Sequence, residues 1–393
     1  MATQELQSLT PLRGIAAIWV ICFHYIVVYF SAFHPEQISS VLNKGYLAVD
    51  MFFMLSGFVL SHVYWGTFTS ETADAGCYWK FMGARVARLY PLHLFNLCQF
   101  LVATLAFAFY QYGSAGEFNA IPIHGARSLT ALLANVAMLQ GLKASELAWN
   151  YPAWSISIEF LAYFLFPLAL PLIAQAGART KSLLAGGAVL ALCLFAHLGG
   201  GDFNQWDGPV TLLRCLPEFV LGALLYAGLR DSLWPDWFKT DYAAAAILSV
   251  QFMLLHFGSP DILIVVGFPA VILTTVMNAG RVAPILNAAP LVWLGDISYS
   301  LYLAHGFVQF LTTELLVGAG VQNTKNLSYL SSLWLLLAML GATLLMAAFT
   351  HREVEIVGRT RLRKLLSAWR ERSNVTSRAK RIAGAAASMP KMN

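Results

Sequence analysis

Residues 9–30, LTPLRGIAAIWVICFHYIVVYF, are the stretch of sequence that decides the fold. The stretch is long and apolar enough to cross a bilayer, since about 20 such residues span a hydrocarbon core about 30 Å thick. It also carries two side chains that can be charged, Arg13 at its start and His24 well inside it. In an α-helix both side chains lie on one face, about 16 Å apart along the axis. Because an ionisable residue within a span is costly, we expect this face to meet a cavity or a partner helix.

The composition of the whole chain is that of a membrane protein. Of its 393 residues, 58% are hydrophobic and only 11% are charged, whereas a soluble domain carries about 25% charged residues. The five cysteines have neither metal-binding nor disulfide spacing, so we expect free thiols and no metal site. The net charge of +5 comes from the C-terminal tail, which favours an anionic membrane surface over nucleic acid as a partner.

Hydropathy predicts an all-α polytopic membrane protein with about ten transmembrane helices in one bundle. The predicted spans are residues 12–30, 46–65, 89–111, 154–174, 183–199, 211–229, 242–257, 261–278, 298–317 and 329–350. A further apolar segment, residues 128–141, is short for a span, and we expect it to lie at an interface or to re-enter the bilayer. The excess of Lys and Arg on one side of this topology predicts that both termini are cytoplasmic.

The predicted membrane domain occupies residues 1–351, and a basic cytoplasmic tail occupies residues 352–393. Apolar residues recur at helical spacing around Leu365 and Trp369, among Arg and Lys, which predicts a helix lying on the inner leaflet. The end of the tail, rich in Ala, Ser, Arg and Lys, is predicted to be disordered. We expect no soluble catalytic domain and no cleaved signal peptide.

Three basic side chains in the first third of the chain are candidates for chemistry. At the predicted depth of His24, about 18 Å from the inner edge of the hydrocarbon core, a neutral imidazole could accept a proton from a hydroxyl. Arg85 and Arg88 lie on one helix face, and their guanidinium groups suit phosphates. The structural alternatives are a hydrogen-bonded histidine and arginines that anchor the inner surface.

Several polar groups on other predicted spans converge on the same layer, which indicates a site. These candidates are Asp50, Ser56, Gly57, Glu159, Glu218, Tyr302 and His305. Plain helix packing is the alternative role of the Ser56–Gly57 pair. Glu218 lies four residues after Arg214, so we expect these two side chains to pair on one helix.

Taken in chain order, these motifs resemble the acyltransferase-3 family of integral membrane acyltransferases. The matching motifs are LRGIAAIWVICFH with Arg13 and His24, GYLAVDMFFMLSGFVL, Arg85-x-x-Arg88 before YP, PAWSISIEFLAYFLFP, PEFVLG and LGDISYSLYLAH. They run from residue 9 to about residue 363, nearly the whole chain. The late Glu-x-Pro motif of the family is Glu355–Ile356–Val357 here, a departure that we expect to affect the last helix and not the site.

The resemblance implies a membrane-bound O-acyltransferase of the bacterial cytoplasmic membrane. Such an enzyme moves an acyl group, most often acetyl, from acyl-coenzyme A to a hydroxyl of a cell-surface or exported carbohydrate or glycolipid. The resemblance implies that acyl-coenzyme A is a co-substrate; we expect no permanently bound cofactor. It also implies that His24 is the general base or the acyl acceptor, with the arm of the donor running toward it from the arginines.

Each remaining candidate residue then has an expected role. The resemblance assigns Arg13, Arg85 and Arg88 to the donor and Ser56 and Gly57 to the wall of the pocket. The candidates to stabilise an oxyanion are Tyr302, His305 and Ser56. The residues expected to face the acceptor are Asp50, Glu159 and Glu218. Two alternatives stay open at this point. A transporter or polysaccharide exporter would use intramembrane His and Glu as a proton relay, and a non-catalytic sensor would depend on the tail.

Overall fold

The computed structural model describes residues 8–113, 125–205, 208–321, 323–324 and 327–370 of the chain. Within these ranges the elements are helices, joined by turns, and no strand is among them. The helices are α1 (Leu9–Cys22), α2 (Ala48–Phe68), α3 (Ala75–Gly113), α4 (Leu129–Val136), α5 (Ala144–Leu147), α6 (Trp154–Gln175), α7 (Ala178–Leu198), α8 (Leu212–Arg230), α9 (Asp241–His256), α10 (Asp261–Met277), α11 (Val282–Leu286), α12 (Ala289–Asp296), α13 (Ser298–Gly318) and α14 (Tyr329–Thr350). π-Helical turns continue α1 over Phe23–Tyr29 and α14 over His351–Ile356.

Each of the ten predicted spans coincides with one helix, which confirms an all-helical membrane protein. In the described ranges, seven segments are long and apolar enough to cross a membrane: Leu9–Tyr29, Gly45–Phe68, Ala75–Tyr110, Tyr151–Gln175, Ala178–Leu198, Pro209–Arg230 and Tyr329–Arg370. The other three predicted spans form α9, α10 and α13. The first two have only 16 and 17 residues, and α13 contains His, Gln, Thr and Glu. The number of ten spans and the cytoplasmic termini stay predictions.

The short apolar segment at residues 128–141 does not form a span. Helix α4 has eight residues, which corresponds to about 12 Å, well below the thickness of a bilayer. The chain then turns at Met138, which has a positive φ of 56°. Two polar side chains of the segment are buried and bonded: Asn135 donates to the Leu147 carbonyl at 2.5 Å, and Gln140 donates to the Ala153 carbonyl at 3.0 Å. The segment therefore folds back over the start of α6.

The basic tail differs from its prediction as far as residue 370. After the π-helical turn the chain continues the last helix, Tyr329–Arg370, instead of starting a separate helix on the inner leaflet. This extension packs along α3, with Gly358 against Pro91 and the Arg370 guanidinium donating to the Trp79 carbonyl. Part of the helix face that we predicted to lie against lipid therefore contacts α3 instead. The predicted disordered end of the tail lies outside the described residues.

Helices α2 and α8 make the most extensive helix pair of the bundle. A Cβ atom on Gly57 would collide with the Phe219 carbonyl oxygen, and one on Gly222 would collide with the Met54 carbonyl oxygen. Small residues allow this close approach of two helices within a membrane. Gly57 therefore packs against α8 and does not line a pocket, which corrects its predicted role.

A buried ion pair joins α2 to α8. The Arg214 guanidinium donates to both carboxylate oxygens of Asp50, at 2.7 and 2.5 Å, and also to the Phe203 carbonyl at 3.2 Å. The expected pairing of Arg214 with Glu218 is thus wrong, because the guanidinium fork is already occupied by the Asp50 carboxylate of the facing helix, which accepts two bonds. Asp50 and Glu218 are both fully buried in this part of the bundle.

The α2–α8 contact predicts a large difference between two glycine substitutions. Gly222→Ala should lower the unfolding free energy by about 1–3 kcal/mol, because overpacking forces the backbones apart. Gly66→Ala on α2 is the control, since a Cβ there meets nothing within 4 Å. The melting temperature of the detergent-solubilised protein measures the effect. Equal melting temperatures for the two variants would contradict the close α2–α8 approach.

Candidate functional site

A cavity lies between α1, α2, α3, α6 and α13. Its empty volume is about 850 Å³, including the open space at its mouth. The polar side chains that line it are Arg13, Ser56, Arg85, Arg88, Ser155, Glu159, Tyr163, Ser298, Tyr299 and Tyr302. Six of the predicted site residues, from five different helices, therefore meet in one cavity.

The cavity carries an excess of positive charge. Arg13 comes from α1, and Arg85 and Arg88 come from adjacent turns of α3. The Arg85 guanidinium donates to the Tyr64 hydroxyl at 3.2 Å and lies over the Tyr64 ring. Among the described residues, Arg88 is the one member of the three with a carboxylate in ion-pair contact. Two guanidinium groups thus remain available to a ligand with several negative charges.

Glu355 is the carboxylate that binds Arg88, a role that the sequence prediction missed. Its side chain is 1% exposed. It accepts a hydrogen bond from the Ser300 hydroxyl at 2.9 Å and lies 3.0 Å from Nδ1 of His351. The departure from Glu-x-Pro was expected to leave the site untouched, but the π-helical turn at this point brings Glu355 to the edge of the arginine-lined cavity. The glutamate of the Glu-x-Pro motif is retained here as Glu355, and this was the sequence signal that could have indicated a role in the site.

Glu159 lies in the same cavity as the arginines. Its Oε1 atom accepts a hydrogen bond from the Tyr163 hydroxyl at 2.6 Å and another from the Ser56 hydroxyl. Glu159 is predicted to face the acceptor and Ser56 to line the pocket, whereas the two side chains lie together in this cavity. Asp50, Glu218 and Gly57 do not line this cavity.

His24 forms a pair with His305. Nδ1 of His24 lies 3.2 Å from Nε2 of His305, and the two rings stack with their centroids 5.1 Å apart. The π-helical turn Phe23–Tyr29 carries His24, and such turns are frequent at functional sites. His305 is fully buried, whereas His24 keeps partial exposure. His305 therefore fixes the orientation of the His24 imidazole, and a ligand can reach His24.

Aromatic rings separate the histidine pair from the arginine-lined cavity. Tyr302 lines the cavity, and its ring lies 5.7 Å from that of His305 and 6.0 Å from that of Phe52. Its hydroxyl lies 2.7 Å from the Ser155 hydroxyl and donates to the Pro152 carbonyl at 2.9 Å. His24 does not line the cavity. The expected open route from the arginines to His24 is therefore interrupted by these rings, close to its end.

Helix α13 passes through all parts of the site. Ser298, Tyr299 and Tyr302 line the arginine-lined cavity, and His305 follows three residues later at the histidine pair. Three residues of α-helix correspond to about 4.5 Å along the axis. The arginine-lined cavity therefore ends about one turn of α13 from the histidine pair.

The chain is similar to several known proteins. A family model described as "Acyltransferase domain" matches residues 6–352. The acyltransferase MdmB of Streptomyces mycarofaciens is 28% identical over 381 residues, 89% of this chain and 91% of that protein. The O-acetyltransferase OatA of Staphylococcus aureus is 25% identical over 333 residues, 76% of this chain and 50% of that protein. No solved structure matches the chain.

The ion pair between Arg88 and Glu355 predicts a stability difference between two nearby acidic residues. Glu355→Ala should lower the unfolding free energy by about 1–3 kcal/mol, because it leaves Arg88 and Ser300 without their partner. Glu353→Ala is the control, since Glu353 is 49% exposed and contacts only exposed Arg352 among the described ionic partners. Thermal unfolding in detergent measures both variants. A loss in the control as large as that in Glu355→Ala would contradict the assignment.

Proposed function

This chain belongs to the acyltransferase-3 family, whose model matches residues 6–352, and is an acyltransferase of the membrane; from that premise we propose which donor, acceptor and residues it uses. The donor is acyl-coenzyme A, most simply acetyl-coenzyme A. The acceptor is a hydroxyl of a cell-surface or exported carbohydrate or glycolipid, reached at the bacterial cytoplasmic membrane. The observation that carries the proposal is a cationic cavity that ends one helical turn from a paired imidazole.

The charge of the cavity supports acyl-coenzyme A as the donor. Its phosphates would bind to the guanidinium groups of Arg13 and Arg85, with Arg88 sharing its charge between the donor and Glu355. The roughly 16 Å from Arg13 to His24 along α1 gives the flexible arm of the donor room to extend. The thioester would reach His24 once the Tyr302 and Phe52 rings move aside.

The geometry of the histidine pair supports general-base catalysis by His24. With Nδ1–H of His24 donating to Nε2 of His305, Nε2 of His24 is left to take the proton of the acceptor hydroxyl. The hydroxyl oxygen attacks the thioester carbon, the carbon–sulfur bond breaks, and the thiolate of coenzyme A takes the proton from the imidazolium. The Tyr302 ring lies 5.7 Å from that of His305, and its hydroxyl, once released from the Pro152 carbonyl, would donate to the oxyanion. A route through an acyl-imidazole on His24 would use the same contacts.

The names of the similar proteins support transfer to oxygen. OatA is named an O-acetyltransferase and MdmB an acyltransferase. Transfer of acetyl to a hydroxyl by this chain is the simplest extension of those names. A relay of protons by the same His and Glu residues, as in a transporter, would have no use for a cationic pocket.

Replacing His24 tests the proposed base. His24→Ala should abolish transfer while the protein still inserts and purifies, because the imidazole that remains, His305, is fully buried behind the position of His24. His197→Ala is the control, since His197 is an exposed histidine on α7. Mass spectrometry of ester-linked acetate on envelope carbohydrates, from cells that express each variant, measures transfer. Undiminished acetylation with His24→Ala would remove His24 from the mechanism.

Replacing the arginines tests the donor site. Arg85→Ala should weaken binding of acetyl-coenzyme A about 10- to 100-fold, the expected effect of losing one charge-assisted hydrogen bond. Arg88→Ala should have a smaller effect, because Glu355 already uses part of its charge. Arg352→Ala is the control at an exposed ion pair, with the Arg352 side chain 84% exposed. Calorimetry with acetyl-coenzyme A on solubilised protein measures affinity. The same affinity in both cavity variants as in wild type would refute the donor site.

A further inference from the structure

A row of polar side chains continues from the histidine pair along α13, away from the arginine-lined cavity. His305, Gln309 and Thr313 are spaced four residues apart, so they lie on one face of the helix. Each meets an aromatic or imidazole side chain from another segment: His305 meets His24, Gln309 meets Tyr151, and Thr313 meets Tyr29. We call Tyr29, Tyr151, Gln309 and Thr313 the outer strip.

The outer strip leads from the buried histidine to the surface. His305 is fully buried, Gln309 and Tyr29 are half-buried, and Tyr151 and Thr313 are exposed. The distance from His305 to Thr313 along α13 is about 12 Å. The Tyr151 hydroxyl donates to Oε1 of Gln309 at 2.8 Å, and the Tyr29 hydroxyl lies 3.1 Å from that of Thr313. Neutral hydrogen bonds at exposed positions exchange readily with those of a ligand hydroxyl.

A buried polar network holds Tyr151 above the histidine pair. The Asn150 amide donates to Oδ1 of Asn96 at 2.7 Å and to the Leu303 carbonyl at 3.0 Å. On the other side of Tyr151, the Pro152 carbonyl accepts from the Tyr302 hydroxyl. The backbone on both sides of Tyr151 is thereby fixed to the core. As a result, the exposed Tyr151 ring stands edge-on to the His24 ring, with the centroids 4.9 Å apart.

The neutrality of the outer strip contrasts with the charge of the arginine-lined cavity. The four side chains of the outer strip are two phenols, an amide and a hydroxyl. Glu314, which follows Thr313 on α13, forms an ion pair with Arg127 at 3.4 Å. Phenol rings pack on the apolar face of a sugar-like ring, and amide and hydroxyl groups both donate to and accept from ligand hydroxyls. A charged ligand would find no counter-charge among these four side chains.

From these observations we infer that the outer strip binds the acceptor, and that the acceptor is an uncharged ring compound bearing hydroxyl groups. The inference rests on the proposed acyl transfer. It replaces Asp50, Glu159 and Glu218 as acceptor contacts, since the first and third are sealed in the bundle and the second shares the cavity of the arginines. In the strip, Tyr151 stacks on the acceptor ring, and Gln309 and Thr313 orient its hydroxyls toward His24.

The test uses the full chain in lipid vesicles with acetyl-coenzyme A and two acceptor pools. The pools are envelope glycans of the producing organism, separated by anion exchange into an uncharged and an anionic fraction. Ester-linked acetate should appear on the uncharged fraction. Gln309→Leu and Tyr151→Leu should each raise the KM for that fraction at least tenfold and leave the affinity for acetyl-coenzyme A unchanged. Tyr151→Phe, which keeps the ring, should have a smaller effect.

Two neighbouring threonines on α13 supply a matched control. Thr313→Val removes the contact with Tyr29, whereas Thr312→Val removes only a hydrogen bond to the Val308 carbonyl. Only Thr313→Val should raise the KM. If Tyr151→Leu fails to fold, the half-buried Gln309 and exposed Thr313 variants still decide the matter.

The outcomes separate this inference from the proposed function. Acetate on the anionic fraction, or an unchanged KM in all strip variants, would overturn the inference alone, because the wild-type protein would still transfer acetyl. Transfer to neither fraction would overturn both the inference and the proposed carbohydrate acceptor. Loss of acetyl-coenzyme A binding by the wild-type protein would instead overturn the proposed function.

Discussion

An ionisable side chain inside a lipid-embedded helical bundle has to be paired, hydrogen-bonded or open to a cavity, because lipid offers it no solvation. This constraint organises the molecule. Asp50 and Arg214 neutralise each other across two helices, and Glu355 does the same for Arg88. His24 is held by His305. Arg13, Arg85 and Glu159 open into one cavity instead, and their uncancelled charge marks where a ligand can bind.

The parts of the site follow one another along α13. Successive turns of α13 contribute to the arginine-lined cavity, then to the histidine pair and then to the outer strip. A single helix thus sets the spacing between the sites that we propose for the donor, the proton acceptor and the acceptor compound. Fixed spacing is what an acyl transfer between two bound molecules requires, because the reacting atoms have to be held about 3–3.5 Å apart.

Features that depend on local pattern were predictable from the sequence, and features that depend on distant contacts were not. Hydropathy located each long helix, and motif order indicated the family. The partner of Arg214 was misjudged because Asp50 is 164 residues away, and Glu355 was missed because Arg88 belongs to another helix. The role of Gly57 was misjudged because the backbone of α8, invisible in the sequence, fills the space beside it. The interrupted route to His24 likewise depends on how the Phe52 and Tyr302 rings pack.

The pair of rings formed by Phe52 and Tyr302 has a consequence for the membrane itself. An enzyme supplied with one substrate from each face of the membrane, as we propose here, needs two openings, and two joined openings would let protons and ions leak down their gradients. The Tyr302 hydroxyl, bonded to Ser155 and Pro152, holds the Tyr302 ring between the arginine-lined cavity and the histidine pair. If the Phe52 and Tyr302 rings move aside only around a bound thioester, the donor itself fills the opening. Acyl groups would then cross the bilayer through this opening, and ions would not.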